Sequence, residues 1–117
     1  MLVLLTKADH ASYKKTIIDT LLGTKTAKSS GIADHHTCRL GKWYDTLDNP
    51  LITNAPAFAK LAGPHACVHA AGKKALEYYE QDDASAALEQ AKLMDEASFE
   101  VIALLEEIHQ HIKGQFE

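Results

Sequence analysis

Apolar residues recur along most of the chain at intervals of three, four and seven positions, the spacing that places side chains on one face of an amphipathic helix. Few runs of alternating β-branched residues compete with this pattern. Three segments carry it most clearly, with these positions on their inward faces: Val3, His10, Tyr13, Ile17 and Leu21; Leu61, His65, Val68, His69, Leu76 and Tyr79; Leu88, Met94, Val101, Leu105, Ile108 and Ile112. The pattern therefore predicts an all-α protein.

Glycine, proline and polar runs separate these helical segments. Gly23 and the polar residues 24–30 indicate a helix end followed by a loop. Asn49 indicates a second break, because a residue that precedes proline avoids the helical region. The polar residues 81–83 form a third connection, and Asp83 suits the N-cap of the helix that follows.

Two prolines indicate where helices begin. Pro56 and Pro64 each suit the first turn of a helix, where the missing N–H of proline costs nothing. We therefore predict four long helices, over residues 2–22, 30–47, 64–81 and 84–113, with a short helical turn near residues 56–62. Because the connections are short, we expect an antiparallel four-helix bundle that forms one domain over residues 1–117.

The composition and net charge argue against several classes of binding partner and location. A net charge of −4 argues against nucleic acid, because phosphate binding needs a basic surface. The most apolar stretch, residues 97–105, contains Ser98 and Glu100, so we expect no membrane span. Residues 1–5 are too short for a signal-peptide core, and two cysteines are too few for a disulfide scaffold. A cytoplasmic location is the default expectation.

The most informative of the seven histidines are His65 and His69. Residues four apart lie about 40° apart around a helix, so both rings can reach one metal ion. Both also share a helix face with Leu61, Val68 and Leu76, which points them inward. A pair of core histidines satisfied by hydrogen bonds is the competing interpretation, and for an isolated pair it is the more frequent one.

Cys38 and His10 are the other candidates for a metal site. Gly41 lies on the same side of the predicted second helix as Cys38, where a missing side chain would let a neighbouring helix come close. Taken alone, Cys38 also fits a buried thiol and His10 a satisfied core histidine. Together with His65 and His69 they offer three imidazole nitrogens and one thiolate from three helices. Closed sets of nitrogen and sulfur ligands suit Zn²⁺.

Three nearby residues fit this set less well. Cys67 lies about 200° around the helix from each neighbouring histidine, so we expect it not to share their metal and to be a small core or interface residue. His35 precedes Cys38 by three positions and is the best substitute ligand. His36 is expected to pack or to face solvent.

Asp9 and Asp34 stand close in sequence to the candidate ligands. Each could accept a hydrogen bond from an imidazole N–H, the interaction that usually orients a metal-bound histidine. Solvated surface carboxylates are the competing interpretation, and we favour it for both residues.

Three sequence blocks resemble the chemoreceptor zinc-binding (CZB) domain family. They are Asp9-His10-Ala-Ser-Tyr13-Lys14, Cys38-Arg39-Leu40-Gly41-Lys42-Trp43-Tyr44 and Pro64-His65-Ala-Cys-Val-His69. Their order and separations fit the family, the central block is its most distinctive one, and the resemblance covers about residues 3–80. Tyr13 stands where the family more usually has tryptophan, which puts no ligand in doubt.

The resemblance implies one Zn²⁺ bound by His10, Cys38, His65 and His69 in the core of a small, mostly four-helix bundle. It also implies a regulatory domain of a bacterial cytosolic signalling protein, attached to a chemoreceptor signalling region or a diguanylate cyclase and working as a homodimer. The implied signal is zinc occupancy, oxidation of the zinc-bound Cys38 by hypochlorous acid, or both. The alternative is a structural dimerisation bundle in which zinc is permanent.

The pattern does not favour an enzyme. Catalytic zinc normally has three protein ligands and an open position, whereas this set has four. The sequence has no H-E-x-x-H motif to supply a general base. Glu106 and His109 form one E-x-x-H pair, but a di-iron site needs two such motifs and two further inward glutamates. We therefore expect a sensor or regulatory domain without catalytic residues.

Overall fold

The computed structural model describes residues 2–34 and 36–115, and within these ranges the chain is helical and contains no strand. The elements are α1 (Leu2–Leu21), a 3-10 turn (Ser29–Gly31), α2 (Arg39–Thr46), α3 (Pro50–Thr53), α4 (Pro56–Glu80) and α5 (Ala84–Gln115). The predicted all-α class is confirmed. None of the described helices combines the length and the apolarity that crossing a membrane requires.

The first and last helices lie where the apolar pattern predicts them. Helix α1 ends at Leu21, and Gly23 follows it with a φ of 84°, a left-handed conformation that favours glycine. Helix α5 begins at Ala84 as predicted. The side chain of Asp83 accepts a hydrogen bond of 3.1 Å from the backbone N–H of Ala86, so the predicted N-cap is confirmed.

The predicted helix over residues 30–47 is wrong in its first half, because α2 begins only at Arg39. The carboxylate of Asp34 accepts hydrogen bonds from the backbone N–H groups of His36, at 2.8 Å, and Thr37, at 2.9 Å. A local side-chain turn of this kind satisfies backbone donors that a helix would otherwise use. Cys38 is therefore the N-cap of α2 and not a mid-helix residue.

The short turn near residues 56–62 and the helix over 64–81 are one continuous helix, α4, with Pro64 inside it. An interior proline removes one backbone hydrogen bond and costs about 3 kcal/mol. Leu61 and Val68 are fully buried on either side of Pro64 along this helix. Burial of such side chains contributes about 1.5–3 kcal/mol each, which offsets the cost of the proline. The predicted break at Asn49 is confirmed, because residues 47–49 are non-helical and separate α2 from the short helix α3, which begins at Pro50.

The hydrophobic core lies mainly between α4 and α5, which residues 81–83 connect. Its largest fully buried side chains are Ile17, Leu61, Leu76, Met94, Leu105, Val68 and Val101. Helix α1 lies along α5 in the opposite direction, because Lys7 pairs with Glu106 and Lys14 pairs with Asp95, each at 2.9 Å. The antiparallel order of the whole bundle stays a prediction.

Helix α1 packs directly on the backbone of α4 at Gly72. A Cβ atom at this position would lie 2.7 Å from the Cδ1 atom of Ile17 and 2.7 Å from the hydroxyl of Tyr13. At Gly63, in the same helix, an added Cβ would meet no heavy atom within 4 Å apart from its chain neighbours and the nearby backbone of its own helix. The close approach of α1 and α4, one turn beyond His69, therefore depends on the missing side chain of Gly72.

We expect Gly72→Ala to lower the free energy of unfolding by about 1–3 kcal/mol, because the methyl group overpacks the contact with α1. The matched change Gly63→Ala should alter it by less than about 1 kcal/mol, because the better helix propensity of alanine is opposed by crowding against the ring of Pro64, the next residue. Urea unfolding of the two variants in the presence of a chelator measures both effects. Equal stabilisation by the two changes would contradict the packing of α1 on Gly72.

Candidate metal centre

Three segments of the chain bring His10, Cys38, His65 and His69 together. His10 comes from α1, Cys38 from the start of α2, and the other two histidines from successive turns of α4. One ligand atom from each residue lies within 4.8 Å of those of the other three. The three histidines are each 3% exposed, and Cys38 is half-buried. The predicted set is thus assembled in space, and it is positioned to bind one metal ion.

The cluster is closely packed within itself. The Sγ atom of Cys38 lies 3.0 Å from Nε2 of His65. The ring of His65 stacks on that of His10 with 5.5 Å between centroids, and its centroid lies 5.0 Å from that of His69. Three nitrogen donors and one sulfur donor around a common point form the donor set of a closed zinc site.

The sulfur of Cys38 lies at the N-terminus of α2, where it accepts a hydrogen bond of 3.4 Å from the backbone N–H of Gly41. Burial raises the pKa of the Cys38 thiol, and the backbone N–H groups of Gly41 and Leu40 oppose this rise. The start of a helix favours an anion, while burial disfavours it. A thiolate here is therefore stabilised when a cation lies beside it, as in a metal site.

The two buried ring nitrogens of His10 indicate whether a metal ion fits the cluster. Its ring is buried, and neither Nδ1 nor Nε2 has a hydrogen-bond partner among the described residues. Burial, followed by the nearby His69, lowers the pKa of His10 to about 4, so the ring is neutral at pH 7 and can coordinate. Buried polar atoms are rarely left without a partner. A Zn²⁺ ion in the cluster would satisfy one of these nitrogens, so the residues present fit the metal.

His69 is oriented by a backbone carbonyl and by an aromatic ring. Its Nδ1 lies 2.9 Å from the carbonyl oxygen of Ala33. Because a carbonyl only accepts, Nδ1 donates the proton and Nε2 carries the lone pair that a metal needs. The ring of Tyr13 lies 4.6 Å from that of His69, and its hydroxyl donates to the carbonyl of His69 at 3.3 Å. The sequence had no signal for Ala33, because a main-chain acceptor does not depend on residue type.

The two aspartates near the cluster act elsewhere. The carboxylate of Asp34 caps the turn before α2, and this turn presents the carbonyl of Ala33 to His69. The carboxylate of Asp9 lies 3.3 Å from the Nε atom of Arg39. The contacts of both carboxylates are thus with a surface arginine and with the backbone of the turn before α2.

The other candidate residues lie outside the cluster or outside the described residues. Cys67 is exposed on the outer face of α4, about 200° from the histidines, so a core position is wrong and an interface position stays a prediction. His36 faces solvent, where its Nδ1 lies 2.6 Å from Asp45. His35, the candidate substitute ligand, lies outside the described residues.

Comparison with protein families matches residues 10–76, more than half of the chain, to the chemoreceptor zinc-binding domain. The chain therefore belongs to the chemoreceptor zinc-binding domain family, a family of regulatory zinc-binding domains, and the resemblance of the three sequence blocks is confirmed. Zinc is accordingly its cofactor, and the cluster of His10, Cys38, His65 and His69 is positioned to bind it. No curated protein and no solved structure matches the chain.

The pKa of His10 predicts how the metal-free chain responds to acid. Above about pH 6.5 His10 is neutral in both the folded and the unfolded state. Below that pH the unfolded chain takes up a proton, whereas the folded chain, with a pKa of about 4, does not. The free energy of unfolding should therefore fall between about pH 6.5 and 4, by at most about 3 kcal/mol from this residue.

Urea unfolding of the chelator-treated chain across this pH range measures the effect. His10→Leu should reduce the slope of the free energy of unfolding against pH, because the variant has no imidazole to protonate at this position. His109→Gln, which removes an exposed histidine of α5, serves as the control and should keep the slope. Identical slopes for the wild type and His10→Leu would show that His10 is not buried as a neutral ring.

Proposed function

We propose that the chain is a single sensor domain of a bacterial cytoplasmic signalling protein, in which His10, Cys38, His65 and His69 bind one Zn²⁺. The observation that supports this most directly is the origin of the four residues in three separate segments, α1, the start of α2, and α4. A bound Zn²⁺ supplies the shared positive centre that holds these segments in one arrangement. The domain is regulatory, and the chain has no catalytic role.

The position of Cys38 makes α2 the element that responds. His65 and His69 lie on α4, a helix of 25 residues, whereas Cys38 begins a helix of eight. Besides Cys38, α2 contacts α4 through Tyr44, whose ring stacks on Phe58 at 4.3 Å and whose hydroxyl donates to the carbonyl of Phe58 at 2.9 Å. The side chain of Leu40, the second residue of α2, is buried in the hydrophobic core. Release of Cys38 from the cluster removes one of the attachments of this short helix.

The free energy available from metal binding is large enough for such a change. Binding to the folded state alone stabilises it by RT ln(1 + [Zn]/Kd), which is about 4 kcal/mol at a thousandfold excess over Kd. A two-state equilibrium that differs by this amount changes its populations substantially. Occupancy of the cluster therefore suffices to select one placement of α2 over another.

Oxidation of Cys38 is a second input at the same atom. In the first step the thiolate sulfur attacks the chlorine of hypochlorous acid, a sulfenyl chloride forms and hydroxide leaves. Water then displaces chloride from the sulfur and loses a proton, which gives a sulfenic acid. The sulfur is thereby oxidised by two electrons, and the chlorine is reduced to chloride. A sulfenic acid is a weaker metal ligand than a thiolate, so oxidation and zinc loss produce the same release of Cys38.

Family membership and exposed apolar side chains support a proposal about the signalling partners of the domain. Leu22, directly after α1, is 72% exposed, and Phe99 on α5 is 69% exposed; Leu88 on α5 is also exposed. Apolar surface of this kind is typical of protein contacts. We propose that the domain works as a homodimer and controls a chemoreceptor signalling region or a diguanylate cyclase, in the same chain or in another.

Elemental analysis tests the ligand set. We expect about one zinc per chain in protein purified without added metal, and a reduced or absent zinc content in Cys38→Ala and His69→Ala. Cys67→Ala removes the exposed thiol of the same helix as His69 and should keep the full zinc content. A wild-type chain that contains no zinc and stays fully helical in zinc-free buffer would refute the proposed site.

The fluorescence of Trp43 distinguishes a sensor from a permanent structural zinc site. Trp43, the single tryptophan of the chain, lies on α2, and its ring centroid is 6.2 Å from that of Phe58 on α4. In the sensor its emission should change as buffered free zinc is varied over the cellular range, because α2 moves relative to α4. His69→Ala is the control and should show no zinc-dependent change. Constant emission and no zinc exchange in the wild type would establish the structural alternative.

A further inference from the structure

The segment between α1 and α2 contacts the metal cluster through a main-chain oxygen and also supplies one of its ligands. The carbonyl oxygen of Ala33 accepts a hydrogen bond of 2.9 Å from Nδ1 of His69. Further along the same segment, Cys38 contributes the sulfur of the cluster. The hydrogen bonds between these two points therefore determine how the acceptor of one cluster residue lies relative to the backbone of another.

Asp34 and Thr37 close this segment with hydrogen bonds in both directions. The carboxylate of Asp34 accepts from the backbone N–H of Thr37 at 2.9 Å, and the hydroxyl oxygen of Thr37 accepts from the backbone N–H of Asp34 at 3.0 Å. The carbonyl of Asp34 also accepts from the backbone N–H of Cys38 at 3.3 Å. Reciprocal bonds of this type satisfy backbone donors before a helix begins. We refer to these bonds between Asp34 and Thr37 as the Asp34–Thr37 turn.

The N–H of Asp34 and the carbonyl of Ala33 belong to one peptide group, and this connects the turn to His69. A peptide group is planar, and in the trans form its N–H and C=O point in opposite directions. No cis peptide bond occurs among the described residues. Because the N–H of this group is directed at the hydroxyl of Thr37, its oxygen is directed to the other side, towards Nδ1 of His69.

The direction of this oxygen affects metal binding because an imidazole has two tautomers. A neutral histidine carries its proton on one ring nitrogen and a lone pair that can bind a metal on the other. A carbonyl oxygen beside Nδ1 of His69 keeps the proton there and leaves the lone pair on Nε2. Loss of such an orienting hydrogen bond typically lowers metal affinity about 10- to 100-fold.

The turn lies at the surface, whereas the ring that it orients is buried. The side chains of Asp34 and Thr37 are exposed, and neither residue belongs to the metal cluster. His69 is 3% exposed. A substitution at Asp34 or Thr37 therefore leaves the ligand set and the core between α4 and α5 unchanged, so its effect on the metal centre can be separated from an effect on folding.

We propose that Asp34 and Thr37 are positioning residues of the metal centre. Their turn directs the carbonyl of Ala33 at His69, keeps the proton of His69 on Nδ1 and thereby raises the affinity for zinc. The effect on affinity rests on the proposed function, in which the cluster binds zinc, whereas the effect on the tautomer concerns the metal-free chain. Because the turn also holds the backbone N–H of Cys38, it links the orientation of His69 to the position of the sulfur.

The first experiment determines the tautomer of His69 in the metal-free chain. Two-bond ¹H–¹⁵N correlation spectra at mildly alkaline pH, where an imidazole is neutral, distinguish the protonated ring nitrogen from the other one, and His69→Ala identifies the signals of this residue. We expect the proton on Nδ1 in the wild type and in Thr37→Ser, which keeps the hydroxyl. Thr37→Val has a similar shape without the acceptor and should shift both nitrogens towards a mixture of tautomers. A wild-type pattern in Thr37→Val, or the shifted pattern in Thr37→Ser, would overturn the proposal.

The second experiment measures the zinc affinity of the same variants by competition with a chromophoric chelator. Thr37→Val should raise the Kd about tenfold and Thr37→Ser less than about threefold, because only the valine removes the bond that aligns the carbonyl of Ala33. Thr46→Val is the control, since it removes an exposed hydroxyl that donates to the carbonyl of Lys42 within α2, and it should keep the wild-type Kd. An unchanged Kd in Thr37→Val would overturn the effect on affinity. A wild-type chain that binds no zinc would refute the proposed function, while a shifted tautomer in Thr37→Val would still support the positioning role.

Asp34 provides an independent pair of variants. Asp34→Asn and Asp34→Ala both remove the negative charge, but only asparagine keeps a side-chain oxygen that can accept from the backbone N–H groups of His36 and Thr37. Asp34→Ala should therefore shift the tautomer of His69 and raise the Kd for zinc more than Asp34→Asn does. Circular dichroism verifies that each variant keeps the helicity of the wild type. Equal effects of the two substitutions would assign the change to charge and overturn the role of the turn.

Discussion

Three imidazole rings lie buried between α1, α2 and α4, and this burial is the constraint on which the arrangement of these helices depends. A buried polar group without a hydrogen-bond partner costs roughly 1–3 kcal/mol in proteins. His10 has no such partner on either ring nitrogen among the described residues, while His69 donates to the carbonyl of Ala33. The packing of α1 against α4 therefore brings together groups that are stable there when they share a cation, so folding of this region and metal binding are linked.

The hydrophobic core and the metal cluster support different parts of the molecule. Leu76, Met94 and Leu105 are fully buried where α4 packs on α5, away from the cluster residues in sequence. The start of α2, by contrast, is attached through Cys38 as well as through the buried side chain of Leu40 and the ring contact of Tyr44. In the proposed sensor, loss of the metal accordingly leaves the α4–α5 pair folded and affects the placement of α2, which is the behaviour required of a switch.

The long helices could be predicted from the spacing of apolar positions, and His65 and His69 from their i and i+4 spacing. His10 and Cys38, which are ambiguous when taken alone, could be assigned to the same site because the three sequence blocks resemble the family. The segment before α2 could not be predicted in this way. The side chain of Asp34 accepts hydrogen bonds from backbone N–H groups there, and the spacing of apolar residues does not indicate such a turn. The helix start predicted at Pro64 was wrong for a different reason. Burial of the apolar side chains around Pro64 outweighs the cost of a proline inside the helix. The Ala33 carbonyl and the pairing of Asp9 with Arg39 depend on distances between segments, which sequence spacing does not contain.

The position of Cys38 at the N-cap of α2 affects how the cluster is expected to work. A cysteine in the middle of a long helix would be fixed by the helix on both sides, whereas Cys38 at the N-cap is followed by eight helical residues and preceded by a turn. Cys38 is also the least buried member of the cluster, and it lines a surface pocket together with His10 and His69. Of the four side chains, it is the one that oxidants convert most readily. In the proposed sensor, metal exchange, oxidation and helix movement therefore all involve this one side chain. In the proposed sensor the two inputs need no separate sites, because each acts by deciding whether the sulfur of Cys38 remains with the three imidazoles.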